Sequence, residues 1–186
     1  GAKRGEDIIN RLKQWMGETE IDPESIDARG LVEETARLMD SELRRTGTRL
    51  KLDFADERPT LLGDRVLLQQ VIFNLMRNAL EAIERGGPSG GEDRIDVRVN
   101  SNENGETVVE ISDTGEGVPE SKIEKIFEPF SDANQKDMGA DKQGMGVGLS
   151  LCRSIVESHT GSLQLASARN PTVFRLKLPR PDDTLE

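Results

Sequence analysis

The chain has 186 residues, 34% of them apolar and 32% charged, with a formal net charge of −10 at pH 7. That length suits one domain with some extra helix, and no apolar run approaches the roughly 20 residues of a membrane-spanning helix, which predicts a soluble piece. The acidic balance disfavours a nucleic-acid groove, because phosphate-backbone binding needs a basic patch; a nucleotide held by backbone amides and one metal is still compatible with it.

Residues 6–16 (EDIINRLKQWM) place Ile8, Ile9, Leu12 and Trp15 or Met16 at helical spacing, and Gly17 supplies a stop. The segment reads as the end of a longer amphipathic helix. The Gly-Ala start, without Met or a signal-peptide core, reads as an expression scar. A short strand falls within 20–29, and Leu31, Val32, Ala36, Leu38 and Met39 then mark a helix ending near Gly47. Arg49 to Phe54 alternates polar with apolar, the period of a half-exposed strand. From Asp64, a candidate N-cap, to about Arg85, the residues Leu68, Val71, Ile72, Leu75, Ala79, Ala82 and Ile83 form one helical stripe. Gly86, Gly87, Pro88, Gly90 and Gly91 end it.

Two strands are predicted near 95–100 and 107–112, joined by the turn-rich SNENGE. Residues 118–143 read as a polar connector with a short helix near 121–126; a glycine cluster opens a helix over about 146–158; two last strands fall near 162–168 and 172–178. The order predicts an α+β sandwich with one helical layer. Cys152, the single cysteine, has no internal disulfide partner, which favours a cytoplasmic compartment, and its helical setting reads as a small buried hydrophobe.

Four clusters carry candidate chemistry. Asn74 and Asn78, in NLMRNALEA, are spaced i, i+4 and leave one helix face together. Asparagine costs a helix about 0.6 kcal/mol relative to alanine, so two in mid-helix ask for a reason. Solvated surface is one; an amide oxygen for magnesium, which takes only one or two protein oxygens beside phosphates and waters, is another. Asp113, at the tip of the strand VVEIS, opens DTGEGVP. A carboxylate there can accept from an exocyclic amine, and Gly115 and Gly117 let backbone approach a flat ring; an ordinary Asp-Gly turn is the alternative.

The third cluster, GMGVGL, places Gly144, Gly146, Gly148 and Leu149 before the helix SLCRSIVESH, where exposed amides suit phosphate oxygens. It is neither a dinucleotide fingerprint, since Leu149 stands at the third glycine's place, nor a P-loop, since no Gly-Lys-Ser/Thr follows. The fourth, KIFEPF, sets Phe127 and Phe130 in a polar connector of a chain with five Phe, one Trp and no Tyr. The rings either hinge a lid or dock the loop onto the core.

The ordered set NLMRNALEA, DTGEGVP, KIFEPF and GMGVGLSLCRSIVESHTG resembles the boxes of the histidine-kinase catalytic domain, within the superfamily that includes DNA gyrase and the ninety-kilodalton heat-shock chaperones. Each box alone is a weak signal, and the four in this order and spacing are specific. The resemblance covers roughly residues 20–180. It implies a two-layer α/β sandwich of the Bergerat type, a mixed, mostly antiparallel sheet with helices on one face, and ATP with Mg2+ between helix and lid. It further implies that Asn78 is the magnesium asparagine and that Asn74 lies near the phosphates. Asp113 would read the adenine amine beside Gly115 and Gly117, while Gly144, Gly146, Gly148 and Leu149 form the phosphate cradle. Phe127 and Phe130 match the aromatic box at the lid's base. Lys136 and Lys142, in the lid, either reach the γ-phosphate or stay solvated.

In hydrolytic members of the superfamily a glutamate one turn before the magnesium asparagine activates water; here that place holds Asn74, which implies poor hydrolysis and transfer to a better nucleophile. GEDIINRLKQWM resembles the second helix of a dimerisation hairpin in kinases related to oxygen and nitrogen sensors, so residues 1–17 are expected to be a hairpin remnant, 18–180 the catalytic domain and 181–186 a tail. The only histidine, His159, is expected to be structural, with the phosphoacceptor histidine on a hairpin helix missing from the chain. The implied partners are that hairpin and a response-regulator receiver domain. The parent is expected to be a homodimer, soluble or membrane-anchored with a cytoplasmic catalytic part, and this piece a monomer. Two other readings remain: a degenerate module that binds nucleotide without transfer, and a hydrolase or serine kinase of the same superfamily.

Overall fold

The computed structural model describes residues 20–55, 58–87, 90–129 and 148–181. In chain order they form β1 (Glu24–Asp27), α1 (Ala28–Leu38), α2 (Asp40–Thr46), β2 (Arg49–Phe54), β3 (Thr60–Gly63), α3 (Arg65–Arg85), β4 (Arg94–Ser101), β5 (Thr107–Asp113), a 3-10 helix at Glu120–Lys125, α4 (Gly148–Ser158), β6 (Ser162–Ala168) and β7 (Thr172–Leu178).

The architecture is the expected α+β sandwich. Five strands form one sheet in the order β2-β4-β5-β7-β6, parallel between β2 and β4 and antiparallel elsewhere. β1 and β3 make a separate antiparallel pair. Thr107 Oγ1, donating to the Thr60 carbonyl at 2.6 Å, and Leu62 N–H, donating to Pro179 at 2.9 Å, tie that pair to the end of the main sheet. Strand alternation decides which face is dry. Ile95, Val97, Val99, Val109, Ile111, Phe174 and Leu176 are buried on the face toward the helices. The other face carries ion pairs across strands, Arg98 to Asp53 at 3.5 Å and Arg175 to Glu110 at 2.9 Å.

α3 is the central beam. Its predicted stripe of Leu68, Val71, Ile72, Leu75, Ala79, Ala82 and Ile83 is buried throughout, joined by Leu67, Met76 and Leu80. Each large side chain removed from water contributes about 1.5–3 kcal/mol, and so this stripe anchors the helix far more strongly than its mid-helix asparagines weaken it. Asp64 is its N-cap as predicted, accepting from Val66 N at 3.1 Å and Leu67 N at 3.2 Å.

Two local expectations need correction. The single helix expected to end near Gly47 is two helices broken at Met39, and Leu38, counted in the apolar stripe, is 59% exposed. The strand β3 had no periodic signal in four residues and was not expected; it is held by pairing with β1. The predicted helix start at 146 lies outside the described residues, within which α4 begins at Gly148.

Candidate nucleotide site

Asp113 ends β5 on the sheet face that meets the helices. Its register neighbours are Ile95 on β4 and Thr172 on β7, both buried, and it is itself only 2% exposed. Loss of hydration pushes its carboxyl up to about 6; the Gly115 N–H, donating to Oδ1 at 2.8 Å, and the Arg85 charge work against that rise. One carboxylate oxygen is thus committed to the loop that follows.

That loop is clamped from two sides. Glu116 N–H donates to the Ala82 carbonyl at 3.2 Å, and the Glu116 carboxylate pairs with Arg85 at 2.8 Å, both in the last turns of α3. Val118 N–H donates to Ala168 at 2.7 Å, at the end of β6. The two glycines make this fit possible. A Cβ on Gly115 would stand 2.6 Å from the Ala82 carbonyl carbon, and Gly117 has a φ of +81° with Arg169 Cβ 2.6 Å from where its own would be.

Asn78, half-buried on α3, lines a cavity of about 70 Å³ with Arg85, Gly117, Lys122, Leu149 and Phe174. The cavity therefore joins three of the four predicted clusters: the α3 amide, the glycine loop after Asp113 and the entrance of α4. Sites for whole small-molecule ligands run to several hundred Å³, so this space admits a ring edge or a water. The remaining predicted wall, with Phe130, Lys136, Lys142, Gly144 and Gly146, lies outside the described residues.

Asn74 is placed differently from Asn78. Its amide nitrogen donates toward Cys152 Sγ at 3.8 Å across the α3–α4 seam, and the residue does not line that cavity. Cys152 is fully buried, as expected, and burial pushes its thiol up to about 12. Phe127 docks on the core, its ring edge-on to Phe174 at 6.2 Å between centroids and 88° between planes, with the Arg153 guanidinium 4.9 Å over its face. The connector is thereby tied to both β7 and α4. Arg85, Glu116, Lys122 and Phe174 were not singled out in the sequence; Glu116 sits inside the DTGEGVP box, and the others are visible only once α3, the 3-10 helix and β7 converge.

The structure thus places a half-buried amide, a glycine of the loop after Asp113 and the first residues of α4 around one cavity, while Asp113 and Gly115 do not line it, and the buried carboxyl stands at the start of that loop. Comparison with known proteins gives the family. Residues 63–182 match the family model of the histidine kinase-, DNA gyrase B-, and HSP90-like ATPases, and the chain belongs to that family as the ATP-binding catalytic domain of a sensor histidine kinase. It is 36% identical to the sensor protein FixL of Bradyrhizobium diazoefficiens over 98% of this chain and 34% of that protein. To the C4-dicarboxylate transport sensor protein DctS of Rhodobacter capsulatus it is 30% identical over 98% of this chain and 26% of that protein. The chain thus spans about a third or less of these relatives. The catalytic domain of histidine kinase ThkA superposes with a TM-score of 0.70 at 26% identity, over 87% of this chain and 97% of that one. No helix among the described residues is long and apolar enough to cross a membrane.

Proposed function

We propose that the domain transfers the γ-phosphoryl group of ATP to a histidine supplied by a dimerisation hairpin outside these residues, for onward transfer to an aspartate of a response-regulator receiver domain. The observation that carries the reading is the absence of a base where hydrolysis would need one: Asn74, one turn before Asn78, is an amide turned toward Cys152. An amide nitrogen has no basic lone pair, whereas a neutral imidazole brings its own. In the step, the imidazole nitrogen forms a bond to phosphorus as the bond to the β–γ bridging oxygen breaks, and ADP leaves with those electrons. The protein's share is positioning and charge neutralisation.

The residues fit that share. In this reading the Asp113 carboxylate accepts from the adenine amine through the oxygen not taken by the Gly115 N–H, with Gly115 and Gly117 as the proposed glycines beside the ring. Asn78 offers one amide oxygen to Mg2+, which when bound neutralises phosphate charge. Gly148 and Leu149 open α4, where helix-entrance amides suit phosphate oxygens, and Gly144 and Gly146 are proposed to complete that cradle; Lys136 and Lys142 are proposed lid cations, and Phe127 with Phe130 the lid's base. His159 is not the acceptor, for it is 2% exposed and both its ring nitrogens are engaged. Residues 1–17 are proposed as part of the hairpin's second helix, 18–180 as the catalytic domain and 181–186 as a tail. The parent is proposed to be a dimer with this domain in the cytoplasm. ThkA has been solved with the response regulator TrrA, which supports a receiver domain as the onward partner.

Mixing the domain with a separate hairpin carrying a histidine, plus Mg·ATP labelled in the γ position, tests the reading. Acid-labile, base-stable label on the hairpin is the expected result. Tight nucleotide binding without label would make the domain a degenerate module, and rapid phosphate release without acceptor would make it a hydrolase.

A further inference from the structure

We infer that His159 is a positioning residue of the nucleotide site, its neutral imidazole pinning the C-terminal end of α4 to the first turn of α3 so that the two helices walling the site keep one spacing. This rests on Asn78 and the α4 entrance belonging to that site.

The geometry leaves the imidazole one state. His159 is buried, at 2% exposure. Nδ1 lies 2.7 Å from the Ile155 carbonyl, which only accepts, so Nδ1 carries the proton. Asp64 N–H donates to Nε2 at 3.0 Å, so Nε2 keeps its lone pair. Asp64 is the N-cap of α3, and its side chain already serves Val66 N and Leu67 N; the histidine takes the backbone donor of the same residue. Gly63 leaves room for the ring, since a Cβ there would stand 2.8 Å from His159 Cδ2 and 2.5 Å from Leu68 Cδ1.

The bond closes a ladder between antiparallel helices. At one end Leu149 of α4 shares the cavity with Asn78 of α3. In the middle Cys152 receives the Asn74 amide, and at the far end His159 receives Asp64. Ile155 and Val156, between those levels, are fully buried and apolar. Apolar contact is non-directional and permits sliding; a hydrogen bond fixes register. A small slip of α4 along α3 moves the Gly148 and Leu149 amides relative to Asn78, and misplacement near 1 Å in such sites costs on the order of 100-fold in rate.

As the chain has a single histidine, its imidazole nitrogen signals are unambiguous by NMR. The wild-type domain at pH 7 is expected to show protonated Nδ1 and unprotonated Nε2; the opposite tautomer or an imidazolium overturns the inference. Mg·ATP affinity is then compared in His159→Leu, which fills the space without an acceptor, and His159→Gln, whose amide oxygen can reach the Asp64 N–H. About tenfold weaker binding in the folded leucine variant with recovery to within about threefold in the glutamine variant is expected; a folded leucine variant with wild-type affinity overturns it. Should the leucine variant not fold, amide exchange of Asp64 in the wild type decides, slowed about tenfold by saturating Mg·ATP if the clasp serves the site and unchanged if it does not. Failure of the wild type to bind ATP would instead refute the site assignment.

Discussion

Asp113→Asn is expected to weaken ATP binding while making the nucleotide-free domain more stable at pH 7. The carboxyl sits at 2% exposure beside Ile95 and Thr172, and burial raises it from 3.8 to about 6. A carboxyl raised on folding favours the folded state below its unfolded value, and that contribution is lost as pH climbs through the folded one. At pH 7 the ionised group therefore costs the fold on the order of 2–3 kcal/mol, a cost absent near pH 4. Asparagine keeps an oxygen for the Gly115 N–H and removes the charge. Thermal unfolding should place the variant's midpoint several degrees above the wild type at pH 7 and close to it near pH 4. ATP affinity should fall about 10- to 100-fold, because the amide turns a donor toward the adenine amine. Equal ATP affinity would remove Asp113 from adenine recognition; equal stability at pH 7 would mean that the carboxyl is better solvated than its burial indicates.

Gly115→Ala is expected to fail in both respects. Its Cβ would meet backbone atoms of Ala82, at 2.6 Å from the carbonyl carbon and 2.8 Å from the oxygen, and helix backbone has nowhere to go. Either the loop lifts from α3, breaking the Glu116 N–H bond to Ala82 and the Arg85 pair, or the last turn of α3 unwinds. Forced overpacking of this kind costs about 1–3 kcal/mol. The lifted loop also occupies ring space, so ATP affinity should fall together with the denaturant midpoint. Gly105→Ala is the control: its φ of +77° makes it mildly strained, nothing lies within 4 Å, and the hairpin tip is far from Asp113 along β5, so ATP affinity should hold. Wild-type affinity in Gly115→Ala would show that the loop does not floor the site.

Period and capping made most of the fold legible. The α3 stripe, its Asp64 cap, the β4–β5 hairpin and the β6–β7 pair all follow from local pattern, because those elements bury one face against one core. β3 escaped because four residues carry too little period and its pairing with β1 spans more than thirty residues of chain. The break at Met39 escaped because Leu38 is apolar yet faces water, an outcome set by the packing of α1 and not by its composition. The parallel β2–β4 pairing follows from the crossover through α3, which no local signal reports.

For the site, the cavity brings together Asn78, Gly117 and Leu149 of the residues singled out in the sequence, and Asp113 and Gly115 do not line it. Depth was not legible: nothing in DTGEGVP says that its carboxyl is buried, at 2% exposure, and pushed up by the loss of hydration. Nor did the i, i+4 spacing of Asn74 and Asn78 reveal that one amide turns to the helix seam and the other to the cavity, since that depends on where Cys152 and Leu149 of α4 arrive. His159 was legible as structural from its place after α4, but its bond to Asp64 joins residues 95 positions apart and could be seen only in three dimensions.

The central claim, that a strand-tip carboxyl, a helix amide and a glycine-rich helix entrance converge on one adenine nucleotide, is tested most directly by calorimetric titration of the domain with ATP and with GTP, each with and without magnesium. One saturable ATP site, strengthened by magnesium, with GTP at least about tenfold weaker because its ring carbonyl would face the Asp113 carboxylate, is the predicted result. Equal binding of ATP and GTP, or no saturable ATP binding at all, would contradict it.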